Sequence, residues 1–269
     1  MIRNPAVAGH FYSGNSVTLA QDVKRLLHGG PAEKPARAFG VLCPHAGYIY
    51  SGALAAATLA QVEIPPRVVL LGPNHTGLGA WAAIEAEGKW RTPLGDVPID
   101  TALAHELMEL DGQLEPDTEA HRREHSLEVQ LPLLQVLRPD VAIVPICLSH
   151  FSLAHCESLG NALARLIRDQ ENPPLLLASS DMNHYESQEI TLSKDQMAMA
   201  AIEGLDPEEL YRVVHEENIS MCGVIPSTCL LFAARSLGVK QARLVGHATS
   251  GDVNGDYTAV VGYAGFVLS

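Results

Sequence analysis

Hydrophobic positions along this chain form short, nearly continuous apolar runs that alternate with longer amphipathic or alanine-rich segments. Apolar runs rich in Val, Ile and Leu and bounded by Gly or Pro predict buried strands. Such runs occur at residues 38–43, 67–72, 141–147, 175–179 and 257–268. Apolar residues at helical spacing predict helices at residues 16–27, 51–61, 101–110, 127–137, 153–167, 192–202, 207–215 and 226–237.

This alternation of strands and helices predicts an α/β fold. The predicted strands are apolar on both faces, which indicates a sheet covered by helices on both sides, so we expect a three-layer α/β/α sandwich. The bend at residues 29–35 contains Gly and Pro but is too short to separate two domains. We therefore expect residues 1–269 to form a single domain.

Composition narrows the classes of function. With 47% hydrophobic and 18% charged residues, the chain does not resemble a disordered or coiled-coil protein. Its 18 Lys and Arg against 31 Asp and Glu give a net charge of -13, which disfavours binding to nucleic acids or anionic membranes. No apolar stretch approaches the roughly 20 residues of a membrane span, and the first residues lack the apolar core of a signal peptide. We therefore expect a soluble, cytoplasmic protein; the sequence leaves its oligomeric state open.

Cysteine usage agrees with a reducing compartment. The five cysteines are odd in number, widely spread and contain no C-x-x-C pair. This pattern favours reduced thiols over a disulfide framework or a zinc ribbon.

Histidines follow several of the predicted strands directly. Open α/β sheets bind ligands beyond the carboxyl ends of their strands. Four of the 12 histidines stand just after an apolar run, namely His45, His75, His184 and His247. One such imidazole commonly only bonds to a loop backbone, whereas several on adjacent strands would converge on one pocket. A converging group favours a metal site or an acid/base site.

His45 and His75 are predicted to be metal ligands. Two neutral imidazoles and one anionic ligand leave positions open for substrate and oxygen at Fe(II). Cys222 is the leading candidate for the anionic ligand, since its loop enters the last helix and the positive helix end would favour the thiolate. A free cysteine is also often a small buried apolar residue. Asp181 is the alternative ligand, or an acceptor that orients a ligand histidine.

Other local patterns point to other chemistries. Residues 121–125 read HRREH and match the inverted zinc-protease motif H-x-x-E-H, but an acidic, loop-like segment precedes them and Pro132 disturbs the helix that the motif requires. We expect His125, Ser126 and Glu128 to begin a helix, with their polar groups facing either the pocket or solvent. Residues 252–256 lack the Gly and Glu of a calcium loop and predict a turn between strands. A cysteine hydrolase with Cys222 as nucleophile has the residue types but no local signature.

Seven short segments, taken together and in this order, resemble the Memo family. They are AGHFY at 8–12, PHAGY at 44–48, GPNH at 72–75, RTPL at 91–94, EHSLE at 124–128, SSD at 179–181 with His184, and Cys222 with Gly223. The set is specific as a set and spans nearly the whole chain. It implies a fold similar to the B-type catalytic subunit of class III extradiol dioxygenases, the non-haem iron enzymes that open catechol rings.

The resemblance also implies roles for individual residues. His45, His75 and Cys222 would be the metal ligands, with Cys222 standing where the dioxygenases use a carboxylate. Because a thiolate is softer than a carboxylate, the site would favour copper or would bind iron with altered redox behaviour. His184 would take the position of the acid/base histidine of the dioxygenases.

Two functions follow as hypotheses. The first is a metal-dependent oxidoreductase of dioxygenase type, using Fe(II) or copper and O2 on an aromatic or enolic small molecule. In it, His184 is held by Asp181 and exchanges a proton with the substrate, while His10, Tyr48 and His125 line the pocket. The second is a non-catalytic adaptor that uses the same pocket to bind a metal or a peptide.

Overall fold

The computed structural model describes residues 1–28, 34–168 and 170–269. Most of the bend at 29–35, namely residues 29–33, lies outside the described residues. The strands are β1 (Ile2–Arg3), β2 (Gly40–Cys43), β3 (Arg67–Pro73), β4 (Ala82–Ile84), β5 (Lys89–Thr92), β6 (Gly95–Pro98), β7 (Glu115–Pro116), β8 (Ala142–Leu148), β9 (Leu175–Ser179), β10 (His184–Glu186), β11 (Ala242–Thr249) and β12 (Val260–Leu268).

The helices alternate with these strands along the chain. They are α1 (Ser16–His28), α2 (Ala53–Leu59), α3 (Thr101–Leu110), α4 (Glu119–Arg122), α5 (Leu131–Leu137), α6 (Leu153–Arg168), α7 (Gln188–Glu203), α8 (Pro207–Glu216), α9 (Val224–Ser236) and α10 (Gly251–Asn254). A π-helix, Tyr48–Gly52, leads into α2, and a 3-10 helix, Glu128–Gln130, leads into α5.

A mixed sheet forms the centre of the molecule. Its strand order is β10-β12-β2-β9-β3-β8-β4-β7, and β11 also pairs with β12. The central strands β2, β9, β3 and β8 are parallel, whereas β12 and β4 run antiparallel to their inner neighbours. A smaller sheet has the order β1-β5-β6. The parallel strands place their carboxyl ends at one edge, where the loops after β2, β3 and β9 meet.

Apolar side chains from the central sheet form two cores, one on each face. In β3, Val69 and Leu71 pack in one core and Val68 and Leu70 in the other, as the alternation of side chains along a strand requires. Helices α3, α6, α7, α8 and α9 cover the first core, and α1, α2 and α5 cover the second. The predicted three-layer α/β/α sandwich is therefore confirmed.

The element bounds differ from the predicted ones where side chains bond to the backbone. Helix α7 begins at Gln188 rather than at residue 192, because the side chain of Ser187 accepts a hydrogen bond from the Ile190 N–H. Strand β12 begins at Val260 rather than at residue 257, because Asp256 accepts from the Thr258 N–H and holds a turn there.

Two sequence-based expectations concern the chain as a whole. All five cysteines are free in the structure. Across the described ranges, no helix combines the length and the apolar character that crossing a membrane requires.

Candidate metal centre and its pocket

Three imidazoles meet at the carboxyl edge of the central sheet. His45 follows β2, His75 follows β3, and His125 lies just before the 3-10 helix. Because β2 and β3 flank β9, the loops that carry His45 and His75 are neighbours. His45, His75 and His125 each offer a ring nitrogen within 4.8 Å of the others. A group with this spacing could hold a metal ion.

The imidazoles line a cavity of about 690 Å³. Seven residues singled out from the sequence contribute to its wall: His10, His45, His75, His125, Asp181, His184 and Cys222. They come from segments far apart in the chain, so the fold brings together side chains that no local motif connects.

Cys222 lies beside His45 in this cavity. Its Sγ is 3.2 Å from His45 Nε2 and accepts a hydrogen bond from the Asp181 N–H at 3.3 Å. The expectation that a helix end eases loss of the thiol proton is wrong for the metal-free protein. Helix α9 begins only at Val224, and burial, together with the nearby Asp181 carboxyl, raises the pKa of Cys222.

The hydrogen bonds around Ser179 define the protonation of His45. The Ser179 hydroxyl donates its single proton to the Ser126 carbonyl oxygen at 2.7 Å, so it can only accept from His45 Nδ1 at 2.9 Å. We therefore assign the proton of the neutral His45 ring to Nδ1, which leaves Nε2 unprotonated. Burial holds the pKa of His45 well below its usual value, so the ring is neutral near pH 7.

Glu124 orients His75, and the sequence interpretation missed this role. The buried Glu124 carboxylate accepts from the His75 N–H at 2.6 Å and from His75 Nδ1 at 2.8 Å. It also accepts from the backbone N–H groups of His125 and Ser126, each at 2.9 Å. A carboxylate only accepts, so the proton of neutral His75 is on Nδ1 and Nε2 is unprotonated.

The ionisation of Glu124 follows from these contacts. Burial by itself would raise the pKa of Glu124, but the His75 hydrogen bond and the Ser126 N–H lower it to about 2. The only sequence signal for Glu124 was its place in the HRREH and EHSLE segments.

The H-x-x-E-H segment does not form a zinc-protease helix. Helix α4 ends at Arg122, before Glu124, so the helix that the motif requires is interrupted. His121 is fully buried, and its ring lies 5.5 Å from that of Trp90. Only His125 of the two histidines reaches the cavity.

His184 is held by Ser220 and not by Asp181. His184 Nδ1 lies 2.8 Å from the Ser220 carbonyl oxygen, and the His184 N–H donates to Ser220 Oγ at 2.7 Å. Ser220 is in turn fixed by the buried Asn183, whose Oδ1 accepts from its N–H and its hydroxyl, each at 3.0 Å. A carbonyl oxygen only accepts, so the neutral His184 ring carries its proton on Nδ1 and has a free Nε2.

Asp181 supports the His45 loop instead. Its Oδ1 accepts from the His45 backbone N–H at 2.7 Å. The prediction that it holds His184 is wrong, because the chain turns after Asp181 and His184 enters β10, which pairs with β12. Burial raises the pKa of Asp181 to about 7, against the opposing effect of the His45 N–H.

Tyr48 and His247 do not lie where the sequence suggested. The Tyr48 hydroxyl donates to the Val129 carbonyl oxygen at 2.7 Å, and the next two residues of the π-helix, Ile49 and Tyr50, line the cavity instead. The prediction that Tyr48 lines the pocket is therefore wrong. His247 lies within β11, and its Nε2 is 2.7 Å from the buried Asp195 carboxylate.

Comparisons with known proteins match nearly the whole chain to one family. A family model described as "Memo-like protein" matches residues 3–267. A MEMO1 family protein of Thermotoga petrophila is 44% identical over 284 residues, covering 100% of both chains. A MEMO1 family protein of Methanopyrus kandleri is 39% identical over 280 residues, covering 100% of this chain and 99% of the relative.

A solved structure supports the fold. The crystal structure of an uncharacterized protein from Escherichia coli K12 matches with a TM-score of 0.56 and 16% sequence identity. The match covers 77% of this chain and 88% of the other. At this level of identity the likeness concerns the arrangement of helices and strands alone.

Proposed function

This chain belongs to the Memo-like protein family, and we propose that its cavity is the site of a metal-dependent oxidoreductase of dioxygenase type. Fe(II) or copper would be held by His45 and His75, which the structure groups with His125, and by Cys222, whose Sγ lies beside His45 Nε2 but outside that group of three imidazoles. The substrate would be an aromatic or enolic small molecule. The observation that carries this proposal is that His45 and His75 each bond to the protein through Nδ1, which leaves Nε2 of the neutral ring without the proton.

The donor set fits such an ion. Metals bind neutral imidazole, and burial keeps His45 neutral while it lowers the pKa of His125 to about 4. The softness of the Cys222 sulfur favours copper or iron over magnesium or calcium. When bound, such an ion would supply the one-electron chemistry that reaction with O2 requires.

His184 would move the substrate proton. Its Nε2 is the unprotonated nitrogen, and burial lowers its pKa, so the ring is a base near pH 7. It would accept a proton from a substrate hydroxyl at Nε2 and return the proton later in the reaction. The Ser220 carbonyl oxygen keeps the ring in the orientation that this exchange needs.

Elemental analysis of anaerobically purified protein tests the ligand set. We expect near-stoichiometric iron or copper in the wild type, and loss of the metal in the His45→Ala and Cys222→Ala variants. The matched control is His215→Ala, which removes an exposed histidine of α8 and should retain the metal. Absence of metal from every preparation, with none taken up on titration, would contradict the proposal.

Oxygen consumption then tests the reaction. The loaded wild type should consume O2 with at least one member of a panel of catechols and hydroxy-aromatics, and His184→Ala should retain metal but lose turnover. A protein that binds metal stoichiometrically and never consumes O2 across the panel would exclude the dioxygenase form of the proposal.

The second candidate is a non-catalytic protein that binds a metal or a peptide. The 3.2 Å approach of Cys222 Sγ to His45 Nε2 favours it, since a thiolate and an imidazole so placed suit copper held without turnover. In that case His184→Ala would change neither metal content nor any rate.

A further inference from the structure

Exposed apolar side chains surround the opening of the cavity. Ile49 and Tyr185 line it and are 74% and 78% exposed. Tyr50 and Phe11 extend this surface, and the Tyr185 ring lies 5.6 Å from that of His184. Large apolar side chains grouped around one opening indicate a binding surface. The cavity therefore presents both imidazole nitrogens and large apolar side chains, which suits a ligand with two chemically different ends.

The wall of the cavity carries five histidines but, among the described residues, no permanently positive side chain. Among the described residues that line it, none is Lys or Arg, and Asp181 is the only carboxylate. Lys194, on α7, is paired with Glu186 at 2.7 Å and also donates to the Asn218 carbonyl oxygen at 2.9 Å. Arg3 does not line the cavity and forms an ion pair with the buried Glu128. An anionic group at the opening would therefore find no Lys or Arg to pair with.

The charge of a ligand determines what it gains at such an opening. A cation gains from the faces of Tyr50 and Tyr185 and from the net charge of -13. An anion loses part of its hydration without an ion pair and meets the same negative field. A neutral apolar substituent gains from burial against Ile49 and Phe11.

Resting on the function proposed above, we propose that the substrate is a phenolic ring whose far end is neutral or positively charged. Carboxylated and phosphorylated analogues are excluded, because the opening offers aromatic faces and no cation. The hydroxyl end of the ring meets His45, His75 and His184, and the other end meets Ile49, Tyr50 and Tyr185.

Three catechols that differ only in terminal charge test this inference. Dopamine, 4-ethylcatechol and 3-(3,4-dihydroxyphenyl)propionate share the ring and a two-carbon arm, which carries an ammonium, no further group and a carboxylate respectively. Binding is measured anaerobically by calorimetry, on metal-free protein and on protein loaded with redox-inert Zn(II). We expect the carboxylate to bind at least tenfold more weakly than 4-ethylcatechol in both forms, and dopamine to bind at least as tightly.

A charge introduced at the opening should reverse the preference. Ile49→Arg should strengthen binding of the carboxylate at least fivefold and weaken that of 4-ethylcatechol, which loses its apolar contact with Ile49. Val17→Arg is the matched control, since Val17 is an exposed residue of α1 outside the cavity and the change in net charge is the same. Rising salt should reduce the difference between dopamine and the carboxylate.

The outcomes separate this inference from the proposed function. If the carboxylate binds as tightly as 4-ethylcatechol, or if Ile49→Arg and Val17→Arg act alike, the charge preference is overturned while the metal site and its reaction stand. If none of the three catechols binds either form, both proposals fail. Loss of metal binding alone, in the elemental analysis, would overturn the proposed function.

Discussion

Two neighbouring polar regions of the molecule use their side chains in opposite ways. One is the cavity with His45, His75 and His184, and the other is the Glu128 cluster, which consists of Arg3, Tyr12 and Glu128 with the backbone of residues 6 and 7. The segment 124–130 contributes to both regions, since His125 lines the cavity and Glu128 belongs to the cluster. Each region contains a buried glutamate that accepts several hydrogen bonds. Only the cavity also has imidazole nitrogens that are available to a ligand.

In the Glu128 cluster, each carboxylate oxygen accepts two hydrogen bonds. Glu128 Oε1 accepts from the Tyr12 hydroxyl at 2.6 Å and the Val7 N–H at 3.0 Å. Glu128 Oε2 accepts from Arg3 Nη1 and the Ala6 N–H, both at 2.7 Å. Arg3 also donates to the carbonyl oxygens of residues 121 and 124 and lies over the Trp90 ring at 4.1 Å.

In the cavity, the protein bonds His75 and His184 through Nδ1 and leaves Nε2 unprotonated. The difference shows how to distinguish a structural polar cluster from a site. A cluster in which every group is paired stabilises the fold. Imidazoles that are held through one nitrogen and line one shared cavity leave their other nitrogens available to a common ligand.

The largest effect is expected from breaking the Glu128 cluster. Glu128→Ala should lower the free energy of unfolding by about 3–5 kcal/mol, because it leaves the Arg3 guanidinium buried without its partner. Denaturant unfolding measures this value. Glu209→Ala, which removes one exposed partner of Arg212, should cost less than about 1 kcal/mol. Equal losses in the two variants would show that the buried ion pair of Glu128 stabilises the fold no more than the exposed ion pair of Glu209 does.

The buried His121, beneath the Glu128 cluster, should make stability depend on pH. Neither ring nitrogen of His121 has a partner at good hydrogen-bond geometry among the described residues, and burial, together with Arg3, lowers its pKa to about 4 against the weaker opposing effect of the Ala83 carbonyl oxygen. Because the unfolded chain binds the proton more tightly, the stability contributed by neutral His121 is complete above pH 6.5 and is lost as the pH falls through 4.

Replacing His121 should therefore reduce the acid sensitivity of the metal-free protein. Between pH 7 and pH 4, His121→Leu should lose about 3 kcal/mol less free energy of unfolding than the wild type. Unfolding curves at several pH values measure the difference. His215→Leu, at an exposed position, should follow the wild type. If the free energy of unfolding fell equally with pH in the wild type and in His121→Leu, His121 would not be held neutral in the folded protein.

On the cavity side, Glu124→Gln should weaken metal binding about 10–100-fold, because the charge that polarises the His75 ring is lost and the amide nitrogen cannot accept from the His75 N–H. Metal competition titrations measure the affinity. Glu85→Gln is the matched control, since Glu85 is a buried carboxylate that accepts from Trp90 Nε1 at 2.8 Å outside the cavity. An equal loss in both variants would point to a general effect on folding.

The smallest effect should come from two tyrosine hydroxyls that differ in their acceptors. Tyr12 donates to the Glu128 carboxylate, and Tyr48 donates to a neutral carbonyl oxygen. Tyr12→Phe should cost about 2 kcal/mol of stability and Tyr48→Phe about 1 kcal/mol, since hydrogen bonds to charged groups are the stronger. The reverse order in denaturant unfolding would show that the charge of Glu128 does not strengthen its hydrogen bonds.

The sequence carried enough information for the layers of the fold and for most side chains at the cavity wall. Apolar runs of the central strands predicted β3, β8 and β9 within a residue or two of their ends. The strand-end rule brought His45, His75 and His184 to one place because parallel strands share an edge. Both inferences depend on patterns that repeat along the chain.

Contacts between distant segments could not be predicted in the same way. Glu124 lies 49 residues from His75, and nothing local distinguishes it from a solvated glutamate. Asp181 and His184 are three residues apart, yet the turn between them separates their roles. Tyr48 was misplaced because the π-helix shifts which of its residues face the cavity.

The distance along the chain between His45 and Cys222 also bears on how the site is assembled in time. These residues are 177 positions apart, and both contact residues from the loop after β9. Closing a loop of such length costs conformational entropy before its contacts stabilise the fold. A ribosome adds residues one after another, so Cys222 emerges long after the two histidine loops. We therefore expect Cys222 to join the cavity only after the loops that carry the three grouped imidazoles have been made.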